Sequence, residues 1–270
     1  MNRSIKAKTV LLSCLMLFFC SCTQVAITGR KQLNIVPDYL VHSMSFNSYR
    51  QFLNENKLST NDAQRQMVRR VGIRIQKAVE KYCVSNGCLD ELSDYAWEFN
   101  LVEDPAVNAW AMPGGKVVVY TGLLKVAQNE TGLAVVMGHE IAHAFAEHGA
   151  ERMSTGLVLD MGGIALSAAL ESRPEQTQRL FMQSYGLGTQ IGILLPYSRL
   201  HENEADHLGL VFMAMAGYNP QAAVAFWQRM AASKQGAAPP EFLSTHPADA
   251  KRINKIKELM PEAMRHYKPQ

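Results

Sequence analysis

Long apolar segments are scarce in this sequence, and the scarcity argues against ordinary membrane-spanning helices. The most apolar run near the start, residues 10–19, is shorter than the roughly 20 residues that a helix needs to cross a bilayer. A second apolar stretch, residues 156–170, is also too short and contains Asp160. We therefore interpret the second stretch as a buried or substrate-lining helix.

The sequence also lacks runs of lysine or arginine with interleaved aromatic residues, which argues against nucleic-acid binding. The chain holds 27 basic and 24 acidic residues. Three of the basic residues, Arg3, Lys6 and Lys8, lie within the first 21 positions, where no acidic residue occurs. The slight positive charge therefore belongs to the N-terminal segment and does not indicate a nucleic-acid surface.

The first 21 residues predict an export signal. A basic beginning precedes apolar residues 10–19, and Ser21 places a small residue directly before Cys22. This order is typical of lipoprotein processing, so we expect removal of residues 1–21 and lipidation of Cys22. Residues 22–35 would then tether a domain to the membrane. We expect the periplasmic side of the outer membrane, because Thr23 stands where some inner-membrane lipoproteins carry aspartate; an uncleaved anchor is the alternative.

Cysteine is scarce elsewhere. Of the five cysteines, only Cys83 and Cys88 lie beyond the predicted lipidation site Cys22. The turn pair Asn86-Gly87 lies between them, and an oxidising compartment would permit a disulfide across this small loop. Two free thiols are the alternative.

One short motif carries the strongest chemical signal. Residues 139–143 read H-E-x-x-H, with His139 and His143 four residues apart. Two histidines at this spacing lie on one face of a helix and can bind one metal ion. Glu140 then lies beside the metal, where it can accept a proton from a bound water. A core helix with two hydrogen-bonded histidines is the plainer interpretation.

The surrounding residues favour a helix. Asn129 can cap its N-terminus, Glu130 suits the first turn, and Gly149 is a candidate C-cap. The apolar positions follow helical spacing along one face: Leu133, Val136, Met137 and Ala144.

A catalytic zinc site needs a third protein ligand and an open fourth position. The third histidine of the H-E-x-x-H-x-x-G-x-x-H motif is missing, since Gly149 occupies its place. We expect a carboxylate from a second helix instead. Glu202 and Asp206 are four residues apart, so Glu202 can bind the metal while Asp206 holds the free N–H of a ligand histidine. A solvated acidic face is the alternative for this stretch.

The motifs, in their order along the chain, resemble a known family. His139-Glu140-x-x-His143, Ser198-Arg199-x-x-Glu202-x-x-x-Asp206 and Gly217-Tyr218-Asn219-Pro220 are similar to the gluzincin peptidases of the HtpX, Oma and CAAX-prenyl-protease group. Residues 108–115 look like the family's substrate-side strand, and residues 244–247 like its histidine loop. The resemblance covers residues 25–258 and is greatest to LoiP-like and BepA-like members, here with the protease domain alone.

The resemblance implies one Zn²⁺ per chain and makes Glu202, not Glu204, the third ligand. It also implies functional positions for Arg199 and His246, either of which could donate a hydrogen bond to the oxyanion. In the family, a matching loop histidine can fill the fourth zinc position and hold the enzyme inactive. The sequence leaves both roles of His246 open.

The remaining histidines carry weaker interpretations. His148 is expected to complement a helix dipole. His201 and His207 flank the acidic face and are weak candidates for metal ligands.

We predict an α+β fold, a mainly helical zincin-type metalloprotease domain over residues 36–270. A small, mostly antiparallel sheet should lie beside the H-E-x-x-H helix, with strands at residues 97–102, 107–112 and 116–120. The last strand would pair with the backbone of an extended substrate. Its residues are Lys116, Val117, Val118, Val119 and Tyr120.

The expected function is a zinc-dependent endopeptidase of the cell envelope. It would cleave unfolded or misassembled proteins by Glu140-assisted attack of zinc-bound water. The expected partners are polypeptide substrates, a membrane reached through the N-terminal lipid, and envelope assembly machinery, without nucleic acid. A non-catalytic assembly factor that uses the same groove is the first rival. A structural zinc protein is the second, although the cysteines lack C-x-x-C spacing.

Overall fold

Two short strands begin the part of the chain that the computed structural model describes. Strands β1 (Cys22–Gln24) and β2 (Lys31–Leu33) form an antiparallel pair, with Cys22 opposite Leu33. We call this pair and its connecting turn the N-terminal hairpin. The structure describes residues 22–25, 28–161, 174–184, 198–233 and 240–269. The predicted signal, residues 1–21, and the end of the predicted apolar helix, residues 162–170, lie outside them.

Helices make up most of the rest. The elements that follow the hairpin are α1 (Asp38–Glu55), α2 (Asp62–Asn86), β3 (Glu98–Val102), β4 (Ala109–Met112), β5 (Lys116–Tyr120), α3 (Thr121–Ala127), α4 (Glu130–Phe145), α5 (His148–Met161), α6 (Pro174–Ser184), α7 (Arg199–Met215), α8 (Ala222–Ala232), α9 (Phe242–Thr245) and α10 (Ala250–His266). The α+β prediction is confirmed. None of the described helices is both long enough and apolar enough to cross a bilayer.

The sheet is mixed, with strand order β3-β5-β4. β5 runs parallel to β3 and antiparallel to β4, so the predicted mostly antiparallel sheet needs a correction. Gly114 and Gly115 join β4 to β5 with φ angles of 77° and 78°, which only glycine adopts readily. β4 packs against α4 and is the strand of the sheet nearest to that helix.

Helix α4 forms the centre of the molecule. The Asn129 side chain accepts a hydrogen bond from Gly132 N at 2.9 Å, which confirms the predicted N-cap. The helix is buried on every face from Gly132 to Phe145, not along one stripe. It ends at Phe145, before the predicted cap Gly149, because Glu147 takes a left-handed conformation with φ 54° and starts a new turn. Gly149 lies inside α5.

Helix α7 packs along α4 at two glycines. A Cβ added to Gly209 would lie 2.9 Å from the backbone nitrogen of His139, and one added to Gly138 would lie 3.0 Å from the Gly209 carbonyl oxygen. Real Cβ atoms do not approach backbone this closely. The absence of side chains at both positions therefore lets the first half of α7 lie against the H-E-x-x-H motif.

Candidate metal centre

Helix α4 brings the two motif histidines together. His139 and His143 project from the same face one turn apart, and their Nε2 atoms are 3.1 Å from each other. Both side chains are buried, at 2% exposure. The plain interpretation of this pair, as histidines satisfied inside a core, does not explain why two imidazole nitrogens point at one location.

Helix α7 supplies a carboxylate to the same location. Ser198 caps α7 by accepting a hydrogen bond from His201 N at 3.2 Å, which places Glu202 in the first turn. Glu202 Oε1 lies 3.3 Å from His143 Nε2, and Glu202 Oε2 lies 3.6 Å from His139 Nε2. The predicted solvated acidic face is therefore excluded for Glu202, which is buried.

His246 completes the group. It follows the short helix α9, and its Nδ1 lies 2.8 Å from Glu202 Oε1 and 3.2 Å from His139 Nε2. Donor atoms of four buried residues lie within 4.8 Å of one another: His139, His143, Glu202 and His246. Imidazole nitrogens and a carboxylate oxygen are the donors that zinc prefers, so this group can bind one zinc ion.

Glu140 lies beside the donor group without joining it. Its Oε1 is 3.6 Å from His246 Nε2 and, among the described residues, accepts no hydrogen bond although it is buried. Burial raises the pKa of Glu140, an effect that the positive charges of His246, His139 and Arg252 only partly offset. A buried carboxylate of raised basicity, with one oxygen that accepts no hydrogen bond among the described residues, is suited to take a proton from water at this position.

Asp206 holds His139 as predicted. Asp206 Oδ1 lies 3.1 Å from His139 Nδ1, the ring nitrogen that faces away from the donor group. A carboxylate at this position fixes the tautomer that leaves Nε2 free to bind a metal.

Arg252 is the site residue that the sequence analysis missed. Its guanidinium donates to both oxygens of Asp206 at 2.8 Å, and its Nη1 lies 2.7 Å from Glu202 Oε2. It also stacks on the Trp227 ring, 3.4 Å from the ring centroid. It lies six residues after His246 in the sequence, but nothing in the spacing indicated a partner.

The electrostatics of the group favour a cation. Burial and the charge of Arg252 both lower the pKa of His139, but hydrogen bonds to Asp206 and Glu202 outweigh them and raise it to about 9. Burial alone would raise the pKa of Glu202, yet His246, Arg252 and the two motif histidines hold it well below its usual range. Ionised carboxylates thus attract positive charge to the point where the imidazoles converge.

Two predicted site elements lie elsewhere. The structure does not bring Arg199 to the donor group, since this first residue of α7 is exposed. The predicted substrate strand needs a correction: β5, residues Lys116, Val117, Val118, Val119 and Tyr120, is the middle strand of the sheet. Its backbone is paired with β3 and β4 on both sides, so it offers no free edge to a peptide.

The predicted disulfide is absent. Cys83 and Cys88 are both buried free thiols, although Cys88 N donates to Cys83 O at 3.1 Å across the turn. Burial raises the pKa of both thiols, which makes them unreactive. The prediction depended on an oxidising compartment more than on geometry. The side chain of Cys22, the predicted lipidation site, lies outside the described residues.

We predicted that His148 complements a helix dipole near a C-terminus, but it stands at the first position of α5 and its side chain contacts other site residues. It is fully buried, with Nδ1 2.8 Å from His143 Nδ1 and Nε2 2.9 Å from Glu204 Oε2. His201 pairs with Glu151 at 3.0 Å and His207 with Glu262 at 3.1 Å, so neither joins the donor group.

The class of protein follows from the position of Glu140 relative to the donor group. Two helices and a loop converge on one cation site, and a carboxylate stands next to it in reach of a reacting water. This geometry is that of a zinc-dependent metalloendopeptidase.

Comparison with known proteins gives the family. The family model of Peptidase family M48 matches residues 73–260, and the chain belongs to this family. It is 33% identical over 247 residues to the mitochondrial metalloendopeptidase OMA1 of Schizosaccharomyces pombe, covering 91% of this chain and 68% of that protein. OMA1 of Bos taurus is also 33% identical over 247 residues, covering 88% of this chain and 46% of the relative. The β-barrel assembly-enhancing protease of Escherichia coli K12 is 30% identical over 173 residues, covering 61% and 35%.

The chain spans between about a third and two thirds of the length of these relatives. The predicted localisation, lipid-anchored on the periplasmic side of the outer membrane, is wrong, because the more similar relatives named above are mitochondrial proteins. A basic and apolar N-terminal pattern is an address read by cellular machinery, so it has no physical link to the fold that family membership defines.

Proposed function

We propose that this metalloendopeptidase hydrolyses peptide bonds in extended segments of unfolded or misassembled proteins. The observation that carries the proposal is the position of Glu140, buried beside the four donor residues, with a carboxylate oxygen, Oε1, that accepts no hydrogen bond among the described residues. A protein that only held zinc, or only held clients, would not require a buried carboxylate there.

The residues of the chain divide the work of hydrolysis. Zinc, when bound by His139, His143 and Glu202, supplies a Lewis acid that polarises a carbonyl and acidifies water. Glu140 accepts the proton of the attacking water and passes it to the departing amine. Asp206 keeps His139 in the tautomer that presents Nε2.

His246 blocks the group in this arrangement. Its Nδ1 lies as close to Glu202 as a hydrogen bond allows, and its side chain is 3% exposed. A substrate carbonyl needs the position that this imidazole occupies. We infer that the loop carrying His246 withdraws before a peptide binds, which favours the inhibitory role over the oxyanion role.

Strand β4 is the better candidate for the substrate strand. It lies at an edge of the sheet and packs against α4, whereas β5 lies between two partners. Pairing through backbone groups makes few demands on substrate side chains, and this property suits a protease of unfolded chains.

The test combines zinc content with cleavage of casein and of a quenched fluorescent peptide. Chelation should abolish cleavage and zinc should restore it. Glu140→Gln should keep zinc but lower kcat roughly 10²- to 10⁴-fold, the usual contribution of a positioned general base. Glu130→Gln, on the same helix but paired with Arg70, is the matched control. Wild-type cleavage by Glu140→Gln would contradict the proposal and favour the non-catalytic assembly factor.

A further inference from the structure

We propose that Arg30, in the turn of the N-terminal hairpin, is a positioning residue for the zinc ligand His143. Arg30 acts through Glu204 and His148. None of these three residues belongs to the donor group. The proposal rests on the donor group and is independent of the substrate.

A continuous line of short contacts joins Arg30 to His143. Arg30 Nε lies 2.7 Å from Glu204 Oε2. The same carboxylate oxygen lies 2.9 Å from His148 Nε2, and His148 Nδ1 lies 2.8 Å from His143 Nδ1. Glu204 and His148 are 5% and 0% exposed, so water does not compete with these contacts.

The protonation states along this line follow from the metal. His143 uses Nε2 toward the other donors, so its Nδ1 carries the proton and donates to His148 Nδ1. His148 must then carry its own proton on Nε2, which donates to Glu204. As a hydrogen-bond acceptor, the Glu204 carboxylate thus selects the tautomer of His148, and His148 selects the tautomer of His143 that can bind zinc.

Arg30 holds the Glu204 carboxylate in place. Thr28 donates to Glu204 Oε1, while Arg30 Nε and His148 Nε2 both lie within hydrogen-bond distance of Oε2. Arg30 also makes a two-pronged contact with Glu151 on α5, with Nη1 at 3.0 Å and Nη2 at 2.8 Å from the two oxygens. One guanidinium therefore fixes the carboxylates of α5 and α7, a geometry that the single ammonium of lysine does not reproduce.

The carboxylates of Glu204 and Glu151 allow two roles of Arg30 to be distinguished: positioning of His143, and attachment of the hairpin to the rest of the domain. Both bind Arg30, but Glu204 lies within hydrogen-bond distance of His148, whereas Glu151 leads to His201, which stacks on the His148 ring and is no metal ligand. If Arg30 only attached the hairpin to the body, loss of either carboxylate would have the same effect. If it positions His143, the loss of Glu204 matters more for zinc.

The experiment measures zinc affinity of the full chain by competition with a chromophoric chelator, with circular dichroism as the check on folding. Glu204→Gln should weaken zinc binding roughly ten- to hundredfold, the usual effect of removing a partner behind a metal ligand. Arg30→Ala should weaken it toward the lower end of that range, and Arg30→Lys should restore only part of the loss. Glu151→Gln should stay close to wild type.

Arg70→Ala is the matched control, because it removes another arginine–glutamate contact, the 2.6 Å contact between Arg70 and Glu130. Glu130 lies on α4, nine residues before His139. Its zinc affinity should be unchanged. Equal losses in Glu204→Gln and Glu151→Gln, or wild-type affinity in a folded Glu204→Gln, would overturn the proposal.

A double-mutant cycle gives a second readout that does not depend on the stability of Arg30→Ala alone. In a His148→Leu background the line is already cut, so Arg30→Ala should cause no further loss of zinc affinity. The same fold-loss from Arg30→Ala in both backgrounds would mean that Arg30 acts on the whole fold and not through His148, and the proposal would fail.

Discussion

The two motif histidines occupy equivalent positions on one helix, but the rest of the chain supports them in different ways. His139 is held directly by the Asp206 carboxylate, which Arg252 of the C-terminal helix α10 neutralises. On the side away from the donor group, His143 Nδ1 is held by an imidazole, His148, and the carboxylate of Glu204 lies one residue further out.

This difference separates the basicities of the two ligands. Direct contact with carboxylates raises the pKa of His139 to about 9, against the opposing effects of burial and Arg252. Burial, and then the charge of His139, keep the pKa of His143 well below its usual value. A carboxylate in contact strengthens an imidazole as a donor, whereas a neutral relay mainly orients it. We therefore expect substitution of the residue that holds His139 to lower zinc affinity more than substitution of the residues that hold His143.

Asp206→Asn should have the largest effect. It leaves Arg252 buried with half of its compensating charge, so the free energy of unfolding should fall by roughly 3–5 kcal/mol. Zinc affinity should fall about a hundredfold, at the upper end for such substitutions. Chemical denaturation and chelator competition measure the two effects, with Glu258→Gln on the exposed face of α10 as control. An effect no larger than that of Glu204→Gln would break the proposed asymmetry.

Gly209→Ala should affect both histidines alike. The new Cβ would lie 2.9 Å from His139 N and 3.0 Å from the Gly138 carbonyl carbon, so backbone must move. A cost of roughly 1–3 kcal/mol is expected, together with weaker zinc binding. Gly156→Ala is the control, because its Cβ would meet only the movable end of the Leu180 side chain. Equal melting temperatures for the two variants would show that the close helix contact is not required.

His246→Ala should raise kcat/KM several-fold, because it removes the imidazole that occupies the fourth position and so increases the competent fraction. Peptide cleavage at saturating zinc is the measurement. A fall in kcat with zinc retained would instead support the oxyanion role. His266→Ala, on an exposed residue, provides the baseline.

Glu147→Gln should have the smallest effect of these substitutions on stability, and that effect should depend on pH. Burial, followed by the charges of Asp38 and Glu91, raises the pKa of Glu147 to about 7, against a hydrogen bond from Asn34 that lowers it. The folded state therefore holds this proton more tightly than the unfolded state, and stability is lost as pH rises from about 4.5 to 7.

The melting temperature of Glu147→Gln relative to wild type should accordingly increase between pH 5 and pH 8. Thermal unfolding monitored by circular dichroism checks this. A difference that does not change with pH would rule out a titrating Glu147 as its source. The result bears on the His143 side, because Asn34 and Gln32 of the hairpin region bind this carboxylate.

Local pattern was enough to predict the helix of the motif, its Asn129 cap and the α+β class. The ligand Glu202 and its neighbour Asp206 also followed from helical spacing and the family resemblance. These features depend on neighbours in sequence, where the periodicity of a helix relates spacing to direction directly.

Contacts between distant elements could not be obtained in this way. Arg252, His148 and Arg30 reach the site through contacts between elements far apart in sequence, and no periodicity encodes those contacts. The early end of α4 at Phe145 was missed for a related reason, since hairpin side chains hold Glu147 in an unusual conformation. The order of strands in the sheet likewise depends on pairing partners that the β-branched run of β5 does not specify.

The donor residues are spread over 107 positions, from His139 to His246, and Arg252 follows later still. During synthesis from the first residue onward, a nascent chain emerging from the ribosome would carry the H-E-x-x-H helix long before the arginine that neutralises Glu202 and Asp206 of α7. A proteolytic centre that closes only when nearly the whole domain has left the exit tunnel cannot act on neighbouring unfolded chains, or on itself, while translation is still in progress.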